Sequence, residues 1–499
     1  MVHEDGMNTP LSNGKRLRFP GWLALLAAIS MGGYVAFSAM IYRAGFPLDD
    51  AWIHQTYARN LAFRGEWAFI PGEPSAGSTS PLWSALLAPG YWAGLAPYVW
   101  TYLLGWVALL GIGLAGWRIF LFFYPGKPRL AIAAGIFLVF EWHLVWAAAS
   151  GMETLLYALL VLIVLGCLVA GYRRWWAYGI LVGVSVWLRP DGITLAGPVL
   201  LLILLVEKDG RHRLFGVFSF LICVFVLVLP YLGLNFALSG AWLPNTFFAK
   251  QAEYAIHRQL PFWQRFLQQS GLLMIGPGAL LLPGFVLCMA RSLRLRNWAV
   301  LAGVIWLLGY LMIYALRLPV TYQYGRYIMP VMPVYFLWSL AGLADWVKPA
   351  EPRRLRRILG RSWVIALVLV WIGFWVIGAR AYAQSVAIIE SEMVDSARWI
   401  AVNTPTDTLV AAHDIGALGY FGHRRLLDLA GLVSPQVIPF IRDEERLAAF
   451  LDEQRADYLM TFPDWYPELI KRAVLVHESQ GIFSRLQGGE AMRIYQWAH

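Results

Sequence analysis

The sequence predicts a mainly α-helical, polytopic membrane protein of about eleven spans, followed by a small extracytoplasmic α/β domain. Three observations predict this: an oily composition, apolar runs punctuated by basic loops, and a change of chemistry near residue 381. Of 499 residues, 59% are hydrophobic and only 14% charged, against about 25% charged in soluble domains. Mean hydropathy is +0.57. The 25 Trp, 23 Tyr and 27 Phe suit aromatic belts at membrane interfaces.

The net charge of +10 divides unevenly: residues 1–380 hold 30 Lys and Arg against 14 Asp and Glu, whereas residues 381–499 hold 10 against 16. The positive charges cluster in short loops at 15–18, 127–129, 173–174, 208–213, 291–296 and 348–361. Such clusters between apolar runs are topology signals. No recognisable nucleic-acid motif interleaves them, so nucleic acid is excluded as a partner. Cys167, Cys223 and Cys288 sit inside apolar runs and read as small buried hydrophobes.

Runs apolar enough to be spans fall at 21–42, 81–97, 99–123, 130–149, 153–171, 175–188, 192–206, 214–238, 270–290, 297–316, 327–346 and 362–380. The first follows Lys15, Arg16 and Arg18 without a clear cleavage site and reads as an uncleaved span. Basic loops belong in the cytoplasm, which allows one net crossing between residues 80 and 126. The run 81–97, broken by Pro81, Pro89 and Pro97, therefore reads as a re-entrant or interface-lying helix. The expected organisation is a cytoplasmic tail (1–20), a membrane domain (21–380) with outer loops at 43–80 and 239–269, and an outer α/β domain (381–499). In that last domain, 387–403 and 444–455 read as helices and 408–412, 426–429, 458–461 and 473–477 as strands.

Acids are scarce in the membrane part. Outside the tail and cytoplasmic loops they are Asp49, Asp50, Glu66, Glu73, Glu141, Glu153, Asp191 and Glu253. All but Glu141 fall at or near the outer face, and charges at membrane depth are costly unless used. They point to one outward-facing polar cavity. One of the adjacent Asp49 and Asp50 suits a cap for a helix starting near Ala51; the other is left over. Paired carboxylates raise each other's pKa and can hold one proton or a cation, which suits a general base toward an alcohol. His54, one helical turn after Asp50, reads as either a satisfied structural group or a catalyst.

The other candidates carry two readings each. Ser80 is a helix cap or a substrate contact. Glu153 answers a helix dipole or joins the site. Arg189 and Asp191 form a local ion pair, or Arg189 grips a phosphate. Asn245 and Lys250 bind a polar head group, or Lys250 snorkels. Positive charge is disfavoured on the outer face, so Lys250 and Arg326 favour phosphate binding, and Arg317 adds a further cation there.

These segments together resemble the GT-C superfamily of membrane glycosyltransferases, nearest its arabinofuranosyltransferase (AftB-like) branch. The likeness rests on Asp49-Asp50-Ala-Trp-Ile with Tyr57-Ala-Arg59-Asn60, Gly77-Ser-Thr-Ser80-Pro-Leu-Trp83, Ser150-Gly-Met-Glu153-Thr, Leu188-Arg-Pro-Asp191-Gly, Leu243-Pro-Asn245-Thr with Ala249-Lys250, Gly325-Arg326-Tyr327, and the run from His413-Asp414. It implies an enzyme of the cell (plasma or inner) membrane that moves a sugar from a polyprenyl-phosphate donor to a glycan, lipid or protein acceptor on the outer face, inverting the anomeric carbon. The resemblance implies Asp49 or Asp50 as base, and Arg189, Lys250 and Arg326 as partners of the leaving phosphate. Some relatives use a divalent cation, which the two Asp would help to hold. The rival expectation is a transporter or flippase of a lipid-linked saccharide, disfavoured because no inverted repeat is apparent. An oligosaccharide ligase would differ in donor size only.

Overall fold

The computed structural model describes residues 21–346 and 354–498; the basic tail 1–20 and positions 347–353 of the densest basic loop lie outside the described residues. Its first half comprises α1 (Gly21–Ile41), α2 (Asp50–Arg64), the short strands β1 (Ala68–Ile70) and β2 (Glu73–Pro74), α3 (Pro81–Trp92), α4 (Pro97–Phe123), α5 (Pro128–Val139), α6 (Trp142–Ala149), α7 (Thr154–Val169), α8 (Trp175–Leu188) and α9 (Ala196–Val206). There follow α10 (Gly210–Ser239), α11 (Asn245–Glu253), α12 (Phe262–Leu272), α13 (Pro277–Leu295), α14 (Trp298–Arg317), α15 (Met332–Trp346) and α16 (Arg354–Ile388).

The chain is a multi-pass membrane protein. Among the described residues, 7 helical segments are long and apolar enough to cross a membrane, or 8 if the bent pair α5 and α6 is one span. Three shorter apolar helices, Thr154–Val169, Trp175–Leu188 and Pro190–Val206, add to these. At 12 residues, α3 falls well short of the ~20 needed to span. The α5–α6 bend of 52° has a local cause. Glu141 sits buried at the break, where its Oε2 accepts the Leu144 N–H at 3.1 Å and its Oε1 lies 2.9 Å from His143 Nδ1. It is a cap for α6. The helices α13 and α15 meet through small residues: a Cβ on Gly342 would lie 1.8 Å from the Gly284 carbonyl oxygen, so glycine permits this close approach.

The C-terminal part is not strung on a loop. Helix α16 continues through a π-helical turn, Ile389–Val394, into α17 (Asp395–Asn403), so the expected helix 387–403 is the end of one long run. The turn buries two acids. Tyr98 donates to Glu390 Oε1 at 2.9 Å, and the Met492 N–H donates to Glu392 Oε2 at 3.0 Å. Beyond it lie β3 (Leu409–Ala412), α18 (Gly416–Phe421), β4 (Arg425–Asp428), α19 (Glu444–Gln454), β5 (Tyr458–Thr461), β6 (Ala473–Glu478) and β7 (Arg493–Trp497). They form one sheet in the order β4-β3-β5-β7-β6. The first three strands run parallel, and β7 pairs antiparallel with both neighbours. Strand β7 is absent from the sequence-based expectation.

The alternation of side chains along these strands gives the sheet two buried faces. Leu409, Ala411, Leu427 and Leu459 pack beneath α19 with Leu447 and Leu451. Val410, Ala412, Leu426, Met460 and Ile494 face the other way and join the same apolar core as the membrane helices. The two parts therefore share a core.

Candidate active site

The stretch between α1 and α3 reads as a polar loop but its first part folds inward as α2, with nine of the fifteen helix residues buried. Two of its buried polar side chains find partners beyond the helix. Gln55 Nε2 donates to Thr101 Oγ1 at 2.7 Å, and Asn60 Nδ2 donates to the Ala68 and Phe69 carbonyls at 2.9 and 3.0 Å. Trp52 is enclosed by Phe46, Tyr98, Tyr420 and Phe421. With α2 wedged between the membrane helices and the C-terminal sheet domain, the first turn of α2 opens onto a cavity of about 410 Å³.

That cavity brings together Asp50, His54, Glu153, Arg189, Asp191, Lys250 and Arg326, residues separated by up to 276 positions in the chain. Arg326 Nη2 lies 2.5 Å from Asp50 Oδ2 and donates to Tyr327 Oη at 3.0 Å. Its Nη1 is buried and has no acceptor. Arg189 is differently placed. It donates to Glu153 Oε1 at 3.2 Å, to Asp191 Oδ1 at 3.2 Å and to Tyr314 Oη at 2.8 Å. Asp191 in turn accepts from Tyr310 and, at 2.7 Å, from Tyr314. The local ion pair of Arg189 and Asp191 is thus present, and it is tied into the cavity wall. Glu153 Oε2 is buried without a hydrogen-bond partner, 3.6 Å from His54 Nε2. Burial lowers the His54 pKa, which keeps its ring neutral near pH 7. Ile193, Leu243, Phe247, Ile313 and Leu318 give the cavity an apolar side.

The remaining expected site residues lie elsewhere, and three of them hold the C-terminal domain. Asp49 does not cap its own helix. Its carboxylate accepts the Gly416 and Ala417 N–H groups at 2.6 and 2.7 Å, at the start of α18. Arg59 donates to the Tyr420 carbonyl at 2.7 Å and lies over that residue's ring at 4.5 Å. Asn245 Nδ2 donates to the Leu432 carbonyl at 3.1 Å. Ser80 is buried at the start of α3 with its hydroxyl unpartnered.

The two adjacent acids therefore part company in geometry and in charge. Burial, against the pull of the Ala417 and Gly416 N–H groups, pushes Asp49 up to about 7. Burial acts on Asp50 as well, but Arg326 and Lys250 outweigh it and hold Asp50 below its ordinary value. One carboxylate faces backbone amides and the other a guanidinium, so the pair does not fit a shared divalent cation. Among the described residues no group of three or more His, Cys, Asp or Glu side chains is placed to hold a metal ion.

Sequence reasoning passed over Tyr310 and Tyr314, which stand four apart on α14 and present two hydroxyls to Asp191. Polar aromatics at one-turn spacing inside an apolar span were the available signal. It also passed over the contact from Glu253 to the C-terminal domain, which no local pattern announces.

A domain of unknown function (DUF8728) matches residues 379–495, and no curated protein matches the chain. Solved structures do. ArnT from Cupriavidus metallidurans superposes with a TM-score of 0.63 at 16% identity, covering 95% of this chain and 97% of that one. The Archaeoglobus fulgidus oligosaccharyltransferase gives 0.61 at 11% identity, over 89% of this chain and 70% of that one. The chain has the GT-C fold. The arabinofuranosyltransferase AftD from Mycobacteria shares this GT-C architecture more loosely, at a TM-score of 0.53 and 16% identity, over 96% of this chain and 42% of that one. The fold expected from the sequence is thereby carried along the whole course of the chain.

Proposed function

We propose that this protein is an inverting membrane glycosyltransferase that moves a sugar from a polyprenyl-phosphate donor to an acceptor hydroxyl on the extracytoplasmic face. One observation carries the reading: Asp50 and a guanidinium with a buried, unpaired N–H, that of Arg326, face the same cavity beside an apolar wall. An ionised carboxylate is an acceptor for a proton, and an unpaired buried cationic donor calls for an anion. The solved relatives agree in kind: one ArnT structure holds undecaprenyl phosphate, and one of the archaeal enzyme holds a dolichol-phosphate with an inhibitory peptide.

In this reading the donor phosphate enters between Arg326 and Lys250, with its lipid chain along the apolar side. The phosphate oxygen takes up the free Arg326 Nη1–H. Sharing the guanidinium with the phosphate relieves Asp50 of part of its counter-charge and raises its basicity when the donor is in place. Asp50 takes the proton of the acceptor hydroxyl, and the oxygen attacks the anomeric carbon from the face opposite the phosphate. The carbon–oxygen bond to phosphate breaks, its electron pair passing to the leaving polyprenyl phosphate. Preplaced cations favour the charge that develops there. Arg189, already paired with Glu153 and Asp191, shapes the wall. Glu153 Oε2 and His54 Nε2 offer polar contacts to sugar hydroxyls.

The test uses purified protein, a radiolabelled polyprenyl-phosphate pentose and a glycan acceptor, with an arabinofuranosyl donor first because of the AftD likeness. Label is expected on the acceptor with inverted configuration. Translocation of the donor across a vesicle membrane with no transfer would contradict the reading and favour a flippase.

A further inference from the structure

Helix α11 carries Lys250 into the cavity, but the C-terminal domain holds both of its ends. At the start, Asn245 Nδ2 donates to the Leu432 carbonyl at 3.1 Å. At the finish, the Glu253 carbonyl accepts from Arg442 Nε and Nη2 at 3.0 and 2.7 Å. A chain of side chains runs through the middle. Lys250 Nζ donates to Glu253 Oε2 at 3.2 Å, Glu253 Oε1 lies 3.2 Å from His413 Nε2, and His413 Nδ1 lies 2.7 Å from Tyr466 Oη. With the Tyr466 hydroxyl donating to Nδ1, Nε2–H is left to donate to Glu253. Glu253, His413 and Tyr466 are all largely or fully shielded from water, so these contacts are stronger than exposed ones.

From this we infer a role for the domain of unknown function: it fixes one of the cavity cations, Lys250. His413 and Arg442 are positioning residues that act on Lys250 through Glu253. The inference rests on the reading of Lys250 as a partner of the donor phosphate. A free α11 would let the flexible lysine side chain and its carboxylate partner fold onto each other. Anchoring one oxygen of Glu253 leaves the other to orient the ammonium, and the remaining Nζ–H groups stay available to the cavity. An i,i+3 ion pair alone does not do this, because a lysine stem has several accessible rotamers.

Two isosteric changes separate the contacts of His413. His413→Asn keeps an amide near the Nδ1 position, toward Tyr466, and removes the reach to Glu253. His413→Gln places an N–H near the Nε2 position. Binding of farnesyl phosphate to the full-length protein in detergent is the readout, with Lys250→Ala beside it. Lys250→Ala and His413→Asn are each expected to weaken binding by about tenfold, the scale of one charge-assisted hydrogen bond. His413→Gln is expected to stay within about twofold of the parent, a margin well below that one-bond scale. In the double variant, His413→Asn adds nothing further once Lys250 is gone. Loss of binding in Lys250→Ala with full binding in His413→Asn would overturn the inference alone. Full binding in Lys250→Ala would overturn the phosphate reading and the inference with it. A general folding defect would weaken binding in the double variant beyond Lys250→Ala, which also contradicts the inference.

Discussion

Arg326 Nη2 lies 2.5 Å from Asp50 Oδ2, while Nη1 of the same guanidinium is buried with no acceptor. The contact joins the opening of α2 to the approach to α15, two places 276 residues apart. It leaves a buried, charged donor without an acceptor in the wall of the cavity.

That donor predicts the first result. Arg326→Lys keeps the charge but loses the planar fork, and the account expects a fall in kcat/KM for sugar transfer of about 10²–10³, as for removal of one preplaced donor. Steady-state transfer kinetics check it. Activity within about twofold of the parent, well under the cost of losing one such donor, would show that the fork is not used.

Gly416 predicts a packing result. A Cβ there would lie 2.1 Å from the Asp49 carbonyl oxygen and 2.7 Å from Asp49 Oδ2. Backbone cannot give way as a side chain does, so Gly416→Ala should cost about 1–3 kcal/mol. Thermal unfolding in detergent measures it, and an unchanged Tm would contradict the seam described between α2 and α18.

Arg59 makes a parallel prediction. Its two carbonyl contacts, to Tyr420 at 2.7 Å and Gly419 at 3.3 Å, bind the domains and not the cavity. Arg59→Ala should lower stability by about 1–3 kcal/mol while leaving the donor KM unchanged at temperatures where the variant is folded. A donor KM raised by about tenfold, the size of a lost substrate contact, would return Arg59 to the substrate.

The pH dependence follows from Asp49 and its neighbour Asp414. Burial, and then the charge of Asp49, raises Asp414 well above its ordinary value, while burial raises Asp49 from 3.8 to about 7. The folded protein therefore keeps a proton that the unfolded chain has released over about pH 4 to about 7, so stability falls as pH rises through that window. Asp50 and Glu253 are held low in the folded state, so their contribution is lost only at more acid pH; His54, lowered by burial, acts in the opposite sense over part of the window, and the two raised acids outweigh it. Tm in detergent should drop from pH 5 to pH 8, conditions on either side of the Asp49 value, and Asp414→Asn should flatten the drop. A Tm that rises over this range in the parent would contradict the buried pair.

Much of this was legible in the sequence. Apolar period and basic loops predict the helices, because spanning segments must be long and oily whatever their tertiary partners. Seven of the expected residues, from Asp50 to Arg326, converge on one cavity because acids and cations in an apolar chain have few other places to go. Asp49, Arg59 and Asn245 were not legible as docking residues. Their partners are backbone groups of residues 416–432, and a backbone amide carries no sequence signature. The same limit hid β7, whose place between β5 and β6 is set by long-range pairing. The pair of acids was visible as a pair, but their division of labour needed the third dimension.

The central claim is that Asp50, and not Asp49, accepts the acceptor's proton. The direct measurement is transfer of a radiolabelled pentose from its polyprenyl phosphate by Asp50→Asn and Asp49→Asn, each with farnesyl phosphate binding checked. Asp50→Asn should bind the phosphate and lose about 10²–10⁴ in kcat, whereas Asp49→Asn should keep kcat within about tenfold, since it lacks that proton-transfer role, and lose stability. Transfer at the parental rate by Asp50→Asn, with loss in Asp49→Asn, would contradict the account.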